Sequence, residues 1–297
     1  GVLHVFQDGY YSDGNARIEK AMIDLIPSLS KAKRTETLEY IKLLCVTDHR
    51  PAPANYLGFK NGIYDLDTDV LIPFSPDILL TNKIPHNYNE NAESEILNNT
   101  LNKLACGDES IRTSLEEIAG YCMYRRNEMR KSFILIGDKA NGKSTYLAVL
   151  QKMLGENNIS ALDMKEFTER FKPAELYCKL ANIGDDISDD FIPDTAIFKK
   201  LVTGDKITVE RKGQDPFTFN SYAKLIFSAN NLPRVKDKTG AVLDRLVIVP
   251  FNATFNKNDP DYDPYIKYKL LEDNCIEYLI KKHCGCQDIP MLYDKKT

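Results

Sequence analysis

The sequence predicts an α/β fold with a central parallel sheet, preceded by a smaller unit of helices and a β-hairpin. From residue 131 onward, apolar runs of strand length alternate with helical patterns, as in proteins whose parallel strands are joined by helices. Upstream of that point, helical spacing of apolar residues is interrupted by one short β-prone region. Because the pattern changes near residue 128, we expect two units, over residues 1–127 and 128–297.

The first unit is predicted to be mainly helical. Apolar residues recur at helical spacing in residues 15–45, and Pro27 interrupts the pattern. The β-prone region that follows contains an Asn-Gly pair at residues 61–62, which is a strong hairpin signal. Two more helices are expected over residues 92–106 and 109–126.

The second unit is predicted to alternate strands and helices around a buried sheet. Strands are expected where short apolar runs are bounded by polar or turn residues, and helices where the apolar spacing is helical. In chain order the predicted elements are a strand at 132–136, a helix at 144–154, a strand at 179–183, a helix at 194–203, a hairpin at 206–219, strands at 223–230 and 245–251, and a helix at 263–283.

The composition is that of an ordinary globular protein: 43% of residues are hydrophobic and 28% are charged. No apolar run reaches the roughly 18 residues that a membrane-spanning helix needs, so we expect no membrane association. Seven cysteines, an odd number that is mostly isolated in sequence, argue against a disulfide framework and favour the cytoplasm. A zinc site at the His-Cys-Gly-Cys run of residues 283–286 is disfavoured because no second ligand pair follows. Since the chain opens on Gly1, we expect it to be part of a longer protein.

One stretch, Gly137 to Ser144, fits the phosphate-binding pattern G-x-x-x-x-G-K-[ST] and lies between a predicted strand and a predicted helix. In such a loop, backbone N–H groups and the helix N-terminus surround phosphate oxygens. The lysine reaches the β- and γ-phosphates and the serine ligates Mg²⁺. We therefore predict ATP and Mg²⁺ as cofactors. The expected nucleotide-binding residues are Gly137, Asp138, Lys139, Ala140, Asn141, Gly142, Lys143, Ser144 and Thr145.

Four further polar residues follow or precede predicted strands. Asp185 and Asp186 end the strand of residues 179–183, where a phosphate loop needs acids for Mg²⁺ and for the attacking water. With Ser144 they are the predicted metal ligands, and which aspartate acts as base is left open. Asn230 ends another strand and could orient water, although Asn-Asn before Leu-Pro is also a good turn. Arg245 adjoins the last core strand and could equally pair with a local aspartate.

The charge changes sign abruptly in the middle of the second unit, although the whole chain carries a formal charge of −4. Residues 183–197 hold five aspartates and no base, whereas residues 198–238 hold nine lysines and arginines against four acids. The aspartates are Asp185, Asp186, Asp189, Asp190 and Asp194. Each run alone is typical of a solvated face. Their order suggests acids at a metal site followed by bases that meet nucleic acid.

The order and spacing of these motifs resemble the superfamily 3 helicases, in the branch of phage and plasmid primase-helicases related to the poxvirus primase-helicase. The resemblance rests on the loop, the acidic pair, "LVTGDKITVERKGQDPF", "FSANNLP" and "DRLVIVPF", and on "NYLGFKNGIYDLDT" upstream. It covers most of residues 56–255. It implies an AAA+-like P-loop domain that assembles into a hexameric ring and moves 3′ to 5′ on single-stranded or forked DNA. A primase or origin-binding domain on the full-length chain would also fit the branch.

The resemblance assigns roles by position. Lys143 and Ser144 match the nucleotide loop, Asp185 and Asp186 the acidic motif, and Asn230 the sensor asparagine. Arg245 matches an arginine finger inserted by the neighbouring subunit, where many relatives carry two consecutive arginines and this chain has Asp244-Arg245. Residues 206–219 match a pore hairpin. Its predicted DNA-binding residues are Lys206, Arg211 and Lys212, the last two at the tip.

Two other functions stay open from the sequence alone. A P-loop kinase would need an acceptor pocket and a basic lid, and would not need a hairpin between the acidic and asparagine strands. A ring-forming initiator or DNA-binding scaffold could hydrolyse ATP without unwinding DNA, and no motif separates that from a helicase.

Overall fold

The computed structural model describes most of the chain in five segments, which are residues 3–45, 51–187, 195–232, 240–258 and 262–284. Several residues of the sequence runs described above lie outside these segments. They are Asp189, Asp190 and Asp194 of the acidic run, Arg234, Lys236 and Lys238 of the basic run, and Cys286 of the disfavoured zinc site.

The chain begins with a two-stranded hairpin and two helices. These elements are β1 (His4–Gln7), β2 (Tyr10–Asp13), α1 (Asn15–Leu25) and α2 (Lys31–Leu44). Asp8 and Gly9 both have positive φ, at 54° and 89°, as the two central residues of a type I′ turn do. The helices were predicted and the β1–β2 hairpin was not.

A three-stranded antiparallel sheet and two capped helices follow. These elements are β3 (Tyr56–Phe59), β4 (Gly62–Asp65), β5 (Val70–Ile72), α3 (Glu95–Ala105) and α4 (Glu109–Met123). The side chain of Ser94 accepts a hydrogen bond from the N–H of Leu97, and Asp108 caps α4 in the same way. The hairpin predicted at the Asn-Gly pair is β3–β4, and both helices begin where a capping residue precedes an apolar run.

The second unit is built on a parallel sheet, as predicted, and the sheet has five strands. Its elements are β6 (Ser132–Ile136), α5 (Lys143–Leu154), β7 (Ile159–Ser160), β8 (Ala181–Gly184), α6 (Ala196–Thr203), β9 (Lys206–Val209), β10 (Phe217–Asn220), β11 (Lys224–Ala229), β12 (Leu246–Pro250), α7 (Ile266–Leu270) and α8 (Asp273–His283). The strand order is β12-β6-β11-β8-β7, so the strand that precedes the asparagine lies between the loop strand and the acidic strand. The pair β9–β10 forms a separate antiparallel hairpin.

The tail differs from the prediction, because two helices replace the single helix expected over residues 263–283. The first ends at Leu270 and the second begins at Asp273. β5 and the two-residue β7 were also not predicted. None of the helices in the described segments combines the length and apolar character that crossing a membrane requires.

One hydrophobic core includes residues from both sides of the predicted boundary. Leu57 and Leu115 belong to it together with Leu150 and Ile276. Helix α4 packs against α5 and α8, so the second half of the first unit is joined to the sheet through apolar contacts. The division into 1–127 and 128–297 stays a prediction about domains.

A fully buried lysine connects the two units at the start of β11. The ammonium group of Lys224 donates hydrogen bonds to the backbone carbonyls of Tyr124, Arg126 and Tyr222. It also lies 4.5 Å from the ring centroid of Tyr121. Burial lowers the pKa of Lys224 to about 7. This contact fixes the segment between α4 and β6 against the central sheet.

Candidate nucleotide site and hairpin

The predicted phosphate loop lies at the carboxyl end of β6 and leads directly into α5. Ala140 and Gly142 both have positive φ, at 60° and 88°, and Gly142 is the N-terminal capping residue of α5. Successive N–H groups in such conformations point toward one concave side and form an anion-binding nest. The φ values of this loop are therefore compatible with such a nest.

The two glycines of the motif are required by close contacts. A Cβ atom on Gly137 would lie 2.2 Å from the carbonyl oxygen of Phe251, and one on Gly142 would lie 2.4 Å from Leu104 Cδ2. The first contact holds the loop against the end of β12, and the second holds it against α3. Larger residues at either position would displace the loop from these supports.

Lys143 lies inside the loop and is 9% exposed. Its ammonium group donates hydrogen bonds to the carbonyl oxygens of Gly137, at 2.5 Å, and of Asp138, at 2.8 Å. Asp138, Lys139, Ala140 and Ser144 are exposed around it, and Thr145 is half-buried. The lysine is thus positioned where phosphate oxygens entering the loop would meet its charge.

Asn141 fixes the loop and has one unused acceptor. Its Nδ2 donates to the carbonyl of Ala253 at 2.7 Å, which connects the loop to the segment after β12. Its Oδ1 is buried and has no hydrogen-bond partner among the described residues. A buried acceptor without a partner is costly, so a donor brought by a ligand or water would stabilise this position.

The acidic pair, the asparagine and a serine form a polar cluster at the same edge of the sheet. Ser228 Oγ donates to Asp185 Oδ1 at 2.5 Å and accepts from the N–H of Asp186 at 2.9 Å. Asn230 Nδ2 lies 3.5 Å from Asp186 Oδ1, at the outer limit of a hydrogen bond. Both aspartates are exposed and Asp186 has a φ of 54°. The structure thus brings together the acidic pair and the asparagine, which the sequence predicted separately.

The cluster and the loop are neighbours across the sheet. Gly137 N–H bonds to the carbonyl of Ala229, the last residue of β11, and Ser228 on the same strand bonds to the acidic pair. Because β11 lies between β6 and β8, two strand spacings, about 10 Å, separate the loop strand from the acidic strand. A phosphate group with its metal ion can bridge such a gap.

The oxygen atoms available at this edge suit Mg²⁺. Mg²⁺ prefers hard oxygen ligands and is commonly held by one or two carboxylates together with substrate phosphates. Ser144 supplies a hydroxyl, and Asp185 and Asp186 supply carboxylates that are open to solvent. When bound, the ion would neutralise charge on the phosphates.

A cleft of about 880 Å³ opens beside the loop. Its walls include Thr145 from α5, Thr100 from α3, and Phe255 and Tyr262 from the segments after β12. The ring of Phe255 also lies near Gly142, where an added Cβ would be 3.2 Å from it. We name this the loop-side cleft. Its volume is in the range of pockets that hold small ligands, so the site can accommodate more than a free phosphate.

Arg245 lies where the parallel strands begin, at the amino edge of the sheet, whereas the loop lies at the carboxyl edge. It immediately precedes β12, whose first residue Leu246 pairs with Ser132, the first residue of β6. The five-residue length of β6 therefore separates it from the loop, about 16 Å at the usual rise per residue. Its Nη1 donates to the carbonyl of Ala241 at 2.6 Å, while its Nε is buried without a hydrogen-bond partner in the described segments.

The hairpin β9–β10 separates the predicted DNA-binding residues. Lys206 pairs with Asn220 at the base, whereas Arg211 and Lys212 lie in the connecting loop. The guanidinium of Arg211 packs on two rings, 5.1 Å from the centroid of Phe217 and 5.5 Å from that of Tyr177. Lys212 is exposed. The two groups of bases are therefore at opposite ends of the hairpin.

The sequence prediction missed two side chains at the nucleotide site. Ser228 is a buried hydroxyl in an otherwise apolar strand, and its place two residues before Asn230 is the only signal that could have identified it. Phe255 belongs to a segment without regular structure, so no periodicity pointed to it. Both became visible only when the strand order was known.

Comparison with known proteins agrees with this architecture. Residues 7–106 match a family model described as "D5 N terminal like", and residues 135–245 match a family of unknown function, DUF5906. The chain is 27% identical over 218 residues to a protein of Acanthamoeba polyphaga mimivirus named "Putative helicase". It is 24% identical over 215 residues to another protein with that name from Invertebrate iridescent virus 3. These alignments cover 69% and 67% of this chain but 22% and 23% of the viral proteins.

Solved structures share the fold. The apo C-terminal region of NrS-1 superposes with a TM-score of 0.61 at 14% identity, over 95% of this chain and 65% of that one. A second structure of the same region gives a TM-score of 0.60 at 16% identity, over 96% and 64%. The chain therefore spans about a fifth of the viral relatives and somewhat less than two thirds of the solved chains.

Proposed function

We propose that this chain, which belongs to the phage and viral primase-helicase family related to superfamily 3, is the motor part of an ATP-dependent replicative DNA helicase. The observation that carries the proposal is the carboxyl edge of the sheet. There a phosphate loop, a serine-held acidic pair and an asparagine meet beside a cleft large enough for a nucleoside.

In this proposal each residue at the carboxyl edge has a separate role in ATP hydrolysis. Lys143 exchanges its loop carbonyls for phosphate oxygens and holds the triphosphate in place. Ser144 and Asp185 hold Mg²⁺, and the hydroxyl of Ser228 fixes the orientation of the Asp185 carboxylate. Asp186, which Asn230 contacts, is the base that receives a proton from the attacking water, and Asn230 orients that water.

The finer features of the proposal come from the family resemblance. They are a hexameric ring, 3′ to 5′ movement on single-stranded or forked DNA, contact with DNA through Lys206, Arg211 and Lys212, and Arg245 as a finger for the adjacent subunit's nucleotide. The register supports the last point, because Arg245 is at the edge of the sheet opposite its own loop. A cytoplasmic setting suits the six cysteines of the described segments, all of which are free thiols.

The test is strand displacement on forked DNA with ATP and Mg²⁺. Substrates carry a single-stranded tail of one polarity, the other or both, and the mass of the assembly is measured in the same buffer. We expect displacement that needs the 3′ tail and a particle near six chains. Lys143→Ala is the control for ATP-dependent displacement. DNA-stimulated ATP hydrolysis without displacement would indicate an initiator or scaffold, and phosphate transfer to a small acceptor would indicate a kinase.

A further inference from the structure

A second cleft, of about 790 Å³, lies away from the nucleotide site. One wall is the N-terminal hairpin β1–β2 with the start of α1, and the other is the segment around residues 171–179 with the tip of β9–β10. We name it the basic cleft, because five bases and two acids line it. The bases are Arg17, Lys83, Lys179, Arg211 and Lys212, and the acids are Asp13 and Glu175.

The N-terminal wall is fixed by several contacts. The N–H of Tyr11 bonds to the carbonyl of Leu80 at 2.6 Å, and its hydroxyl donates to the carbonyl of Pro76 at 2.6 Å. Lys83 Nζ donates to the carbonyl of Asp8 at 2.5 Å and lies 5.3 Å from the ring centroid of Tyr10. These bonds hold the β1–β2 hairpin, so this wall is part of the folded structure.

The opposite wall holds a cation against aromatic rings. Tyr177 packs edge-on against Phe217 and Phe219, with centroids 5.3 Å and 5.4 Å away, and Arg211 lies over this cluster. The adjacent Glu210 is already paired with Arg170 at 2.6 Å. The guanidinium of Arg211 is therefore oriented by rings rather than neutralised by its neighbouring acid, and its charge is available to a ligand.

The aromatic side chains complete the pattern. Tyr10 and Tyr11 on one wall, and Phe171 and Tyr177 on the other, line the same space as the bases. Phe171 is 40% exposed although it is a large apolar side chain. Bases that meet phosphates, interleaved with rings that stack on nucleobases, are the combination by which proteins bind single-stranded nucleic acid without sequence preference.

We propose that the basic cleft is a binding site for single-stranded DNA, continuous with the tip of the β9–β10 hairpin. Arg211 and Lys212 belong to both surfaces, so a strand gripped at the tip extends between the walls. Arg17 meets its phosphates, and Phe171 stacks on a base. The proposal rests on the DNA-binding function proposed above, and it adds a site that involves the N-terminal unit.

The test compares oligonucleotide length in two variants. Arg17→Ala with Phe171→Ala removes one exposed side chain from each wall, and Arg211→Ala with Lys212→Ala removes the hairpin bases. Lys31→Ala with Lys33→Ala, two exposed positions on α2 outside the cleft, is the control. Fluorescence anisotropy with labelled oligo-dT of increasing length gives the affinity, at several salt concentrations.

We expect the first variant to bind the shortest oligonucleotides like the parent and to lose roughly 5- to 100-fold in affinity for longer ones, as removal of a base stack does. Its log–log salt slope should fall by about 0.7, because Arg17 no longer neutralises a phosphate. Basal ATP hydrolysis should not change. The control should match the parent at every length.

Two results distinguish failure of the cleft proposal from failure of DNA binding at the hairpin. If the cleft variant binds long oligonucleotides like the parent while the hairpin variant loses binding, the cleft proposal is wrong and the helicase proposal stands. If the hairpin variant also binds normally at every length, DNA binding at the hairpin is wrong as well. Photo-cross-linking of iodouracil-containing DNA to Phe171 or Tyr10 would support the cleft directly.

Discussion

Charged residues at the carboxyl edge of the central parallel sheet have different surroundings from those at its amino edge. At the carboxyl edge, Asp185, Asp186, Ser228 and Asn230 contact one another, and Lys143 is held by carbonyls of its own loop. At the amino edge, Arg245 makes one hydrogen bond to a backbone carbonyl and keeps a buried Nε without a partner in the described segments.

In the proposed function, the difference decides which site a single chain can complete. The carboxyl edge would supply the residues that bind and activate a triphosphate. At the amino edge, no described residue supplies the Nε of Arg245 with a hydrogen-bond partner. An arginine that acts on the nucleotide of an adjacent copy is expected at such an edge, because it must lie far from its own loop. The comparison can be tested by altering one edge at a time.

The largest effect is expected from Lys143→Ala, which should abolish ATP hydrolysis. The ammonium group of Lys143 is held inside the loop by the loop's own carbonyls, where it would meet the β- and γ-phosphates. Lys152→Ala, on the exposed face of the same helix, is the matched control and should retain parental turnover. Steady-state ATPase and the melting temperature are measured for both. Parental turnover in Lys143→Ala with an intact fold would remove the carboxyl edge as the nucleotide site.

Arg245→Ala should bind ATP normally and lose roughly 10³–10⁵ in turnover, the range that arginine fingers supply. Lys143→Ala has the complementary defect, so mixing the two proteins should restore part of the activity. In a mixed ring, some subunit interfaces pair an intact Lys143 loop with an intact Arg245 from the adjacent subunit. The measurement is ATPase activity as a function of mixing ratio.

Arg126→Ala, which removes an exposed arginine paired with Glu128, controls for loss of positive charge and should leave the ATPase unchanged. Formation of mixed assemblies is established by labelling the two proteins with different fluorophores. If mixed assemblies form and activity does not return, Arg245 does not serve the adjacent nucleotide, and the contrast between the edges needs another explanation.

A smaller effect is expected from Ser228→Ala, about 10- to 100-fold in apparent Mg²⁺ affinity or turnover, since this hydroxyl orients a predicted metal ligand. Ser132→Ala is the matched control. Its buried hydroxyl donates to the carbonyl of Arg245 at the other edge, so the same chemical change should leave Mg²⁺ dependence unaltered. ATPase rates over a Mg²⁺ titration measure both. Equal shifts in the two variants would contradict the division of roles.

Much of this architecture was accessible from the sequence, for identifiable reasons. The parallel strands and the loop were predicted because apolar periodicity and a glycine-rich motif are local signals. The β1–β2 hairpin was missed although Asp8-Gly9 carries its turn signature, because the helical pattern that follows dominated the prediction. The basic cleft could not be predicted, since Arg17 and Phe171 are far apart in sequence and meet only through the docking of the N-terminal hairpin.

The smallest expected effect is on stability, and it compares two residues at the amino edge, Lys224 and Arg245. Lys224 begins β11 at this edge, and three carbonyls satisfy its buried ammonium group. Lys224→Met would leave those carbonyls without a donor, so it should lower the melting temperature. Arg245→Ala should change it little, because among the described residues the Arg245 side chain hydrogen-bonds only to Ala241.

The pH dependence of the free energy of unfolding tests whether Lys224 is the group responsible. Because burial lowers the pKa of Lys224 in the folded state to about 7 from an ordinary value of 10.5, the unfolded chain binds more protons above pH 7. The free energy of unfolding should therefore rise, on the order of 1–2 kcal/mol, between pH 7 and pH 8.5. Burial raises the pKa of Cys122 to about 12, so its stabilising contribution is lost only at higher pH and leaves this window clear. Urea unfolding at the two pH values should show the rise in the parent and in Arg245→Ala, and not in Lys224→Met. An equal rise in all three proteins would mean that another group produces it and that the ammonium group of Lys224 stays charged when the protein folds.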